Sequence, residues 1–323
     1  MSRSSKPLPS SNTLSAPAGP RPVIVTGPTG VGKSAFACAL AERVGGEIIG
    51  ADAFQLYRGL SVLTAQPGDD LQSCVPHHLS GVLDLESRYD AAAFLRDAGS
   101  LVSDIQRRGK IPILAGGTGL YLKAFTHGLA ELPLPDSALR LEIASLSIAE
   151  VLRRLEALDG AAVTEIDTCN PVRVRRALEI VLQTGKPLAD SRKQWGRVPS
   201  SICGVVLLRD RGELRSRISA NVDAMFAANV SDEVAAARLA GPGPRRAIGF
   251  REIEAFLDGR MDEAACREAI VLATWKYAKR QMTWCRTQFG FPSLELTEEN
   301  FPGSALDKAV GLLKIGGVMG HSD

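Results

Sequence analysis

Short apolar runs alternate with longer stretches of helical periodicity along the first part of the chain. Residues 23–25 and 111–115 form continuous apolar runs, the pattern of buried parallel strands. A third run, 47–51, predicts a strand that we expect to lie beside the first one. Residues 35–44 and 89–108 carry apolar side chains at helical spacing. Strands that alternate with helices predict an α/β fold, a parallel sheet flanked by helices.

The pattern changes after residue 128. Residues 129–201 contain no strand-like run, and Pro171 to Gly185 predicts one clear helix, with proline in its first turn and glycine just past its end. We therefore expect an inserted all-helical domain at 129–201 in a core made of residues 21–128 and 202–323. The remaining predicted elements are one strand and two long helices: Ile202 to Leu208, Gly212 to Leu239 and Asp262 to Phe289.

The most specific chemical signal is the segment Gly27-Pro28-Thr29-Gly30-Val31-Gly32-Lys33-Ser34. Because it lies between the first predicted strand and the first predicted helix, it fits the P-loop pattern G-x-x-x-x-G-K-[ST]. Its glycines allow a tight turn that directs backbone N–H groups at an anion, and the helix N-terminus adds partial positive charge. Lys33 would add a full charge, and the Ser34 hydroxyl would hold Mg²⁺, the expected cofactor. The segment predicts a P-loop NTPase-like fold that binds a polyphosphate or a pyrophosphate.

Two further polar residues, Asp52 and Thr118, follow predicted strands. Ligands of parallel sheets bind beyond the carboxyl ends of the strands, so both residues are expected to meet the P-loop at one site. Asp52 is the candidate general base; a helix cap or a carboxylate that orients a metal ligand is the alternative. Thr118 is the candidate hydrogen-bond donor to a substrate or leaving-group oxygen, with a turn-forming threonine as the alternative. His77 and His78 lack companions at metal-ligand spacing, which favours structural or surface roles.

The sequence does not favour hydrolysis of ATP or GTP. P-loop enzymes that cleave nucleotides usually hold Mg²⁺ with an aspartate at the end of an apolar strand. The run 111–115 ends instead in Gly-Gly-Thr, and Asp210 follows the later strand only after Arg209. A guanine-reading Asn-Lys-x-Asp segment is also absent. A small-molecule kinase stays open as an alternative.

The charge of the whole chain is nearly balanced, with 38 Lys and Arg against 36 Asp and Glu and a net charge of +2. Possible partners must therefore be inferred from the local distribution of charge. Basic residues cluster on three segments: Arg173, Arg175 and Arg176; Arg245, Arg246 and Arg251; and Lys276, Lys279, Arg280 and Arg286, interleaved with Trp275, Tyr277 and Trp284. We interpret the clusters as contacts to RNA phosphates, and solvated helix faces are the alternative.

Composition is that of ordinary globular proteins, with 45% hydrophobic and 23% charged residues. The six cysteines are scattered and form no Cys-x-x-Cys pair, which indicates a reducing, cytoplasmic compartment. No apolar run approaches the ~18 residues of a membrane span, so no membrane association is expected. Residues 1–20 are rich in Ser and Pro and contain no acidic residue. This predicts a disordered tail, with an organellar transit peptide as the alternative.

From about Pro22 to Trp284 the chain resembles the tRNA dimethylallyltransferase (tRNA isopentenyltransferase) family. Beyond the P-loop, the matching segments are Glu-Ile-Ile-Gly-Ala-Asp (47–52), Val-Pro-His-His-Leu (75–79), Gly-Gly-Thr-Gly-Leu-Tyr-Leu-Lys-Ala (116–124), Arg-Arg-Ala-Leu-Glu-Ile (175–180), Arg-Ala-Ile-Gly-Phe-Arg-Glu (246–252) and Ala-Lys-Arg-Gln-Met-Thr-Trp (278–284). The combination in this order is far more specific than the P-loop alone. The departures from the family pattern are Ala53 in place of Ser, Leu63 and Gln66 in a stretch that usually reads Gly-Thr-Ala-Lys-Pro, and Asn221 and Trp275 in place of Arg.

The resemblance implies transfer of a dimethylallyl group from its pyrophosphate to N6 of the adenosine on the 3′ side of the anticodon in tRNA. Asp52 and Thr118 would be catalytic, and Arg217 would join residues 27–34 in binding the pyrophosphate. The residues that would bind tRNA are Asp52, Ala53, Phe54, Gln55, Thr118, Arg140, Arg173, Arg176, Arg246, Phe250, Lys279 and Arg280. We expect a monomer. An adenylate isopentenyltransferase that acts on free AMP or ATP is the alternative with the same chemistry.

Overall fold

The computed structural model describes residues 19–130, 132–133, 136–191, 199 and 201–315. Residues 1–18 of the expected disordered tail, and 192–198 of the expected insertion, lie outside the described residues. The chain divides into two compact units. The smaller unit spans Leu129–Gly196, against a predicted insertion of 129–201, and the larger unit holds the described residues on either side of it.

A six-stranded sheet runs through the larger unit, and each strand is parallel to its neighbours. In chain order the strands are β1 (Val23–Thr26), β2 (Gly46–Gly50), β3 (His77–His78), β4 (Ile111–Ala115), β5 (Cys203–Leu208) and β6 (Ser293–Glu295). Their order in space is β3-β2-β4-β1-β5-β6. The structure thus confirms the predicted α/β class with a parallel sheet.

The prediction that the second strand lies beside the first is wrong. Strand β4 separates them, because its Ile113 pairs with Val23 of β1 on one side and with Ile48 of β2 on the other. The connection after β1 therefore skips one strand position, and the chain later returns to fill the gap with β4. Sequence order alone does not decide whether a parallel crossover reaches the adjacent position or the next one.

The helices of the described residues, in chain order, are α1 (Lys33–Val44), α2 (Asp69–Cys74), α3 (Ala91–Arg107), α4 (Gly119–His127), α5 (Ser137–Ser145), α6 (Ile148–Leu158), α7 (Gly160–Glu165), α8 (Pro171–Thr184), α9 (Arg211–Ala227), α10 (Val230–Ala236), α11 (Phe250–Leu257), α12 (Glu263–Gln288) and α13 (Gly303–Leu313). The single helix predicted over Gly212 to Leu239 is two helices. Asn229 separates them because it adopts a left-handed φ of 56°. Within the described part of the chain, no helix is both long and apolar enough to span a bilayer.

Helices cover both faces of the sheet. Side chains along a strand alternate between the two faces, and because these strands are apolar throughout, both faces have to be covered. Ile24 of β1 belongs to the same core as Phe94 of α3. Its neighbours Val23 and Val25 belong to a second core together with Phe36 of α1. All five side chains are fully buried, and each such burial stabilises the fold by about 1.5–3 kcal/mol. The two cores hold the strands, and with them the loops that leave their carboxyl ends.

The smaller unit consists of α5 to α8 and a short 3-10 helix in its described residues. Four side chains form much of a separate apolar core: Val151, Leu155, Val174 and Leu178. Each of the four α-helices begins with a polar side chain that accepts hydrogen bonds from the first N–H groups: Asp136, Ser147, Asp159 and Asn170. Such caps explain why short helices form in a unit that has few buried residues.

Candidate active site

The loop between β1 and α1 has a glycine at each end, Gly27 and Gly32, and at both positions a side chain would be unfavourable. Gly32, which precedes α1, has a φ of 101°, a conformation that residues with a side chain rarely adopt. A Cβ at Gly27 would lie 2.5 Å from the carbonyl oxygen of Leu207 in β5, so the neighbouring strand leaves no room for one. No side chain caps the first turn of α1. Its N–H groups are therefore available to an anion in the loop.

The ammonium group of Lys33 lies over this loop, where its Nζ donates to the carbonyl oxygen of Pro28 at 2.9 Å. Burial lowers the pKa of Lys33, and the opposite charge of Asp52 works against that effect. An ammonium that has lost hydration on burial gains most from an anionic partner. A phosphate group bound in the loop would supply one.

Two guanidinium groups flank the loop from the side of β5 and α9. The Nε of Arg217 donates to the carbonyl oxygen of Gly30 at 3.0 Å, and the Nε of Arg209 donates to that of Val31 at 3.4 Å. A terminal nitrogen of each arginine lies 3.9 Å from the position that a Cβ of Gly32 would take. The resemblance implied that Arg217 binds the pyrophosphate, but it did not imply a role for Arg209. The one feature of the sequence that could have pointed to Arg209 is its place at the end of an apolar strand. Together with Lys33, these groups give the loop the chemistry of a polyanion site.

Asp52 and Thr118 follow β2 and β4, and hydrogen bonds join their two turns. The Oγ1 of Thr118 accepts the N–H of Ala53 at 2.9 Å, and the N–H of Thr118 donates to the carbonyl oxygen of Ala51 at 3.2 Å. The Oδ1 of Asp52 accepts the N–H of Phe54 at 3.0 Å. Asp52 therefore orders its own turn and caps no helix. The structure brings Asp52 together with Thr118, whose turn lies against the loop: a Cβ at Gly117 would lie 3.5 Å from the carbonyl oxygen of Gly27.

Glycines on either side of Thr118 bring the backbone of its turn into close contact with its neighbours. A Cβ at Gly116 would overlap the carbonyl oxygen of Ala51. A Cβ at Gly119 would overlap the indole ring of Trp284 on α12. The turn that presents Thr118 is therefore confined from two directions.

Tyr277 on α12 belongs to this site. From the sequence it was only one of the aromatic residues interleaved with the third basic cluster. Burial raises the pKa of Tyr277, and the charge of Asp52 raises it further, while hydrogen bonds with Thr118 and Gln281 act in the opposite direction. The phenol therefore stays neutral and keeps its O–H donor. Its spacing to Gln281 was the signal available, because residues four apart share one face of a helix.

Ser34, the expected Mg²⁺ ligand, lines a cavity of about 20 Å³ together with Gln55, His77 and Ser80. That volume accommodates one water molecule. Nε2 of His77 and Oγ of Ser80 are buried without a hydrogen-bond partner in the described residues. Across the same residues, no group of three or more His, Cys, Asp or Glu could hold a metal. Mg²⁺ commonly keeps several waters and takes substrate phosphates as ligands, so the Ser34 hydroxyl at the end of the phosphate loop fits it without a cluster of protein carboxylates.

Asp210 and His78 have structural roles. Asp210 caps α9, where its Oδ1 accepts the N–H groups of Glu213 at 3.1 Å and Gly212 at 2.8 Å, and these bonds lower its pKa. Its carboxylate thus orders the start of a helix. His78 contacts Glu47 at 2.8 Å through Nε2, which joins two neighbouring strands. This contact supplies a structural role of the kind that the sequence favoured for His78, which also lines the cavity beside Ser34.

The residues of the larger unit that were expected to bind tRNA differ in exposure. Arg246, Lys279 and Arg280 are exposed. Gln55 is half-buried, and its amide group donates to two loop carbonyls. Phe250 is fully buried in the core of the larger unit, so its side chain is not on the surface with Arg246, Lys279 and Arg280. As the first residue of α11 it lies on the apolar face of that helix.

The arginines of the smaller unit that were expected to bind tRNA each face a carboxylate. The Nε of Arg140 contacts one oxygen of Glu179 at 2.7 Å, and a terminal nitrogen of Arg176 contacts the other at 2.8 Å. Arg173 lies 3.6 Å from Asp167. Glu179 is buried, whereas the arginines are partly or fully exposed and keep donors for a further anion.

The parallel sheet and the glycine loop define an α/β protein of the P-loop class. A family model described as IPP transferase matches residues 55–288, and one described as isopentenyl transferase matches residues 21–75. The tRNA dimethylallyltransferase of Halorhodospira halophila is 39% identical over 278 residues, 82% of this chain and 89% of that protein. That of Geobacter metallireducens is 41% identical over 276 residues, again 82% and 89%. The chain belongs to the tRNA dimethylallyltransferase family.

Solved structures share this fold. The tRNA isopentenylpyrophosphate transferase of Bacillus halodurans aligns with a TM-score of 0.68 and 30% identity, over 91% of this chain and 97% of that one. A eukaryotic dimethylallyltransferase, whose structures capture it acting on tRNA, aligns with a TM-score of 0.76 over 90% of this chain and 78% of its own. At 24% identity, the second likeness supports the fold alone.

Proposed function

We propose that the protein transfers a dimethylallyl group from dimethylallyl pyrophosphate to N6 of the adenosine on the 3′ side of the anticodon in tRNA. One observation carries the proposal: the turn of Thr118 lies against the phosphate loop and is bonded to the turn of Asp52. A Cβ at Gly117 would lie 3.5 Å from the carbonyl oxygen of Gly27, and Thr118 Oγ1 accepts the N–H of Ala53 at 2.9 Å. An anion-binding group and a candidate base, from two different strand ends, thus share one site. Transfer from a pyrophosphate to a weakly acidic amine needs both.

The loop would bind the leaving pyrophosphate. As the bond between the allylic carbon and its oxygen breaks, negative charge grows on the pyrophosphate, and Lys33, Arg209 and Arg217 would stabilise it. Mg²⁺, held by the Ser34 hydroxyl and by phosphate oxygens, would neutralise part of the same charge when bound. Because all of these groups are fixed before the reaction, they need little reorganisation during it.

Asp52 would accept the proton that N6 loses as the new carbon–nitrogen bond forms. Thr118 holds the backbone of Ala53, which fixes the turn that carries this carboxylate. The neutral phenol of Tyr277 would offer a hydrogen bond beside both. The adenosine has to leave its stack to reach these groups, at a cost of a few kcal/mol. Contacts of tRNA phosphates with Arg246, Lys279 and Arg280, and with Arg140, Arg173 and Arg176 of the smaller unit, would offset that cost.

Transfer of label from radioactive dimethylallyl pyrophosphate tests the proposal, with unmodified tRNA and AMP offered as separate acceptors in the presence of Mg²⁺. We expect label in tRNA alone. Label in AMP alone would indicate an adenylate isopentenyltransferase, and ATP consumption without an allylic donor would indicate a kinase. A tRNA with guanosine in place of the target adenosine is the matched negative control.

A further inference from the structure

The side chain of Gln281 is buried between the two halves of the site. Its Oε1 accepts the N–H of Thr29 in the phosphate loop at 2.7 Å, and its Nε2 donates to the carbonyl oxygen of Gly117 at 3.0 Å. Only 5% of the residue is exposed. One amide group thus bridges two segments that lie 252 and 164 positions away from it in the sequence.

The bridge depends on the chemistry of a primary amide, which offers an acceptor and a donor on the same carbon. A carboxylate keeps the acceptor but loses the donor, and an aliphatic side chain loses both and leaves two polar backbone groups without their partner. The contact with Gly117 is also sterically tight, because a Cβ at that position would overlap Nε2 of Gln281. The amide therefore fits a space that glycine keeps open.

The bridge continues to the turn that carries Asp52. Gly117 precedes Thr118, whose hydroxyl accepts the N–H of Ala53 at 2.9 Å. A path of hydrogen bonds and single peptide links thus runs from Thr29 through Gln281 to the residue after the candidate base. The N–H of Thr29 is committed to this path, which removes it from the donors expected to face the pyrophosphate.

We propose that Gln281 is a positioning residue that fixes the separation between the phosphate loop and the turn of Asp52, and therefore between donor carbon and acceptor nitrogen. This inference rests on the proposed function. Misplacement of reacting groups by about 1 Å lowers turnover by roughly 10²-fold, while each substrate can still bind. Loss of the bridge is therefore expected to lower kcat and to leave both KM values nearly unchanged.

Kinetics of Gln281→Leu and Gln281→Glu test this role. For the leucine variant we expect a kcat about 10- to 100-fold below wild type, with KM for either substrate within about threefold. Gln106→Leu is the matched control, because Gln106 also donates to a backbone carbonyl, that of Pro20, on a helix outside the site. A leucine variant with wild-type kcat, or one that loses activity only through higher KM values, would overturn the proposal.

The pH dependence of turnover in Gln281→Glu distinguishes a positioning role of Gln281 from a role in packing alone. A protonated carboxyl group carries both a donor and an acceptor, and burial raises the pKa of such a group. The ratio of Gln281→Glu turnover to wild-type turnover is therefore expected to rise at least tenfold between pH 8.5 and pH 6. The ratio for Gln281→Leu is expected to stay flat, and a flat ratio for both variants would refute the bridge.

A third measurement does not depend on catalysis. Amide hydrogen exchange at Thr29 is expected to accelerate in Gln281→Leu, whereas core amides such as those of Ile24 and Leu114 keep their wild-type protection. Unchanged exchange at Thr29 would overturn the proposed bridge. If wild type transfers no label to tRNA, the proposed function fails instead, and the exchange data still decide whether Gln281 holds the loop.

Discussion

The Nε of Arg217 donates to the carbonyl oxygen of Gly30 at 3.0 Å, although 187 positions separate the two residues in the sequence. A guanidinium group that uses Nε in this way keeps its terminal nitrogens free to form a fork toward an anion. Helix α9 thus contributes a rigid cation to a loop at the other end of the chain. The contact places an arginine where an ammonium on a flexible stem could not replace it.

Arg217→Lys is expected to raise KM for dimethylallyl pyrophosphate about tenfold, because lysine keeps the charge but lacks the fork and the bond to the loop. Steady-state kinetics with varied donor concentration measure this change. Arg215→Lys is the control, since Arg215 is exposed on the same helix. An equal rise in KM for both variants would show that only the general charge of α9 matters.

Asp52→Ala is expected to lower the rate of the chemical step by roughly 10²- to 10⁴-fold, the usual contribution of a general base. Single-turnover transfer with enzyme in excess isolates that step. Affinity for tRNA and the melting temperature are expected to change little, because Asp52 is half-buried and caps no helix. Wild-type turnover in this variant would remove Asp52 from the mechanism.

Lys33→Met is expected to abolish donor binding and also to stabilise the unliganded protein at neutral pH. Burial lowers the pKa of Lys33 below its usual 10.5, so the folded state disfavours the charged form. That cost to stability is complete below the folded pKa and disappears as pH rises to the unfolded value. The gain in melting temperature over wild type should therefore shrink between pH 7 and pH 10.5. A gain that is independent of pH would point to packing instead.

Glu179→Gln is expected to lower the free energy of unfolding by about 1–3 kcal/mol, because the buried carboxylate serves both Arg140 and Arg176. Denaturant titration measures the change. The control is Asp167→Asn, which removes the carboxylate that faces Arg173. Asp167 is more exposed than Glu179, so its loss should lower the free energy of unfolding by only about 0–1 kcal/mol. Equal losses in the two variants would contradict the distinction between the buried and the exposed pair.

Sequence reasoning succeeds here where the signal is local and fails where it depends on distant packing. The phosphate loop was predictable because its glycines, lysine and serine are contiguous, and the aspartate and threonine beyond β2 and β4 because ligands gather at the ends of parallel strands. The position of β4 between β2 and β1 was not predictable, since sequence order does not decide which strand position a crossover reaches. Phe250 shows the same limit: its motif suggested a partner, but its burial comes from the fold around it.

The two site residues missed by sequence, Arg209 and Tyr277, have a common cause. Each lies far along the chain from the loop or turn that it contacts, and neither stands in a pattern that carries chemistry by itself. Gln281 is similar, because its two hydrogen bonds span 252 and 164 positions. Only the folded arrangement shows that these side chains face one site.

The glycines around Thr118 restrict how this site can be altered by mutation or design. A side chain at Gly116 would collide with the backbone of Ala51, and one at Gly119 with Trp284. A larger residue at Gly116 would therefore displace the backbone next to Asp52, the candidate base. Of the two contacts, only the one at Gly119 is with a side chain, so a smaller residue in place of Trp284 would relieve it, whereas the contact at Gly116 is with backbone.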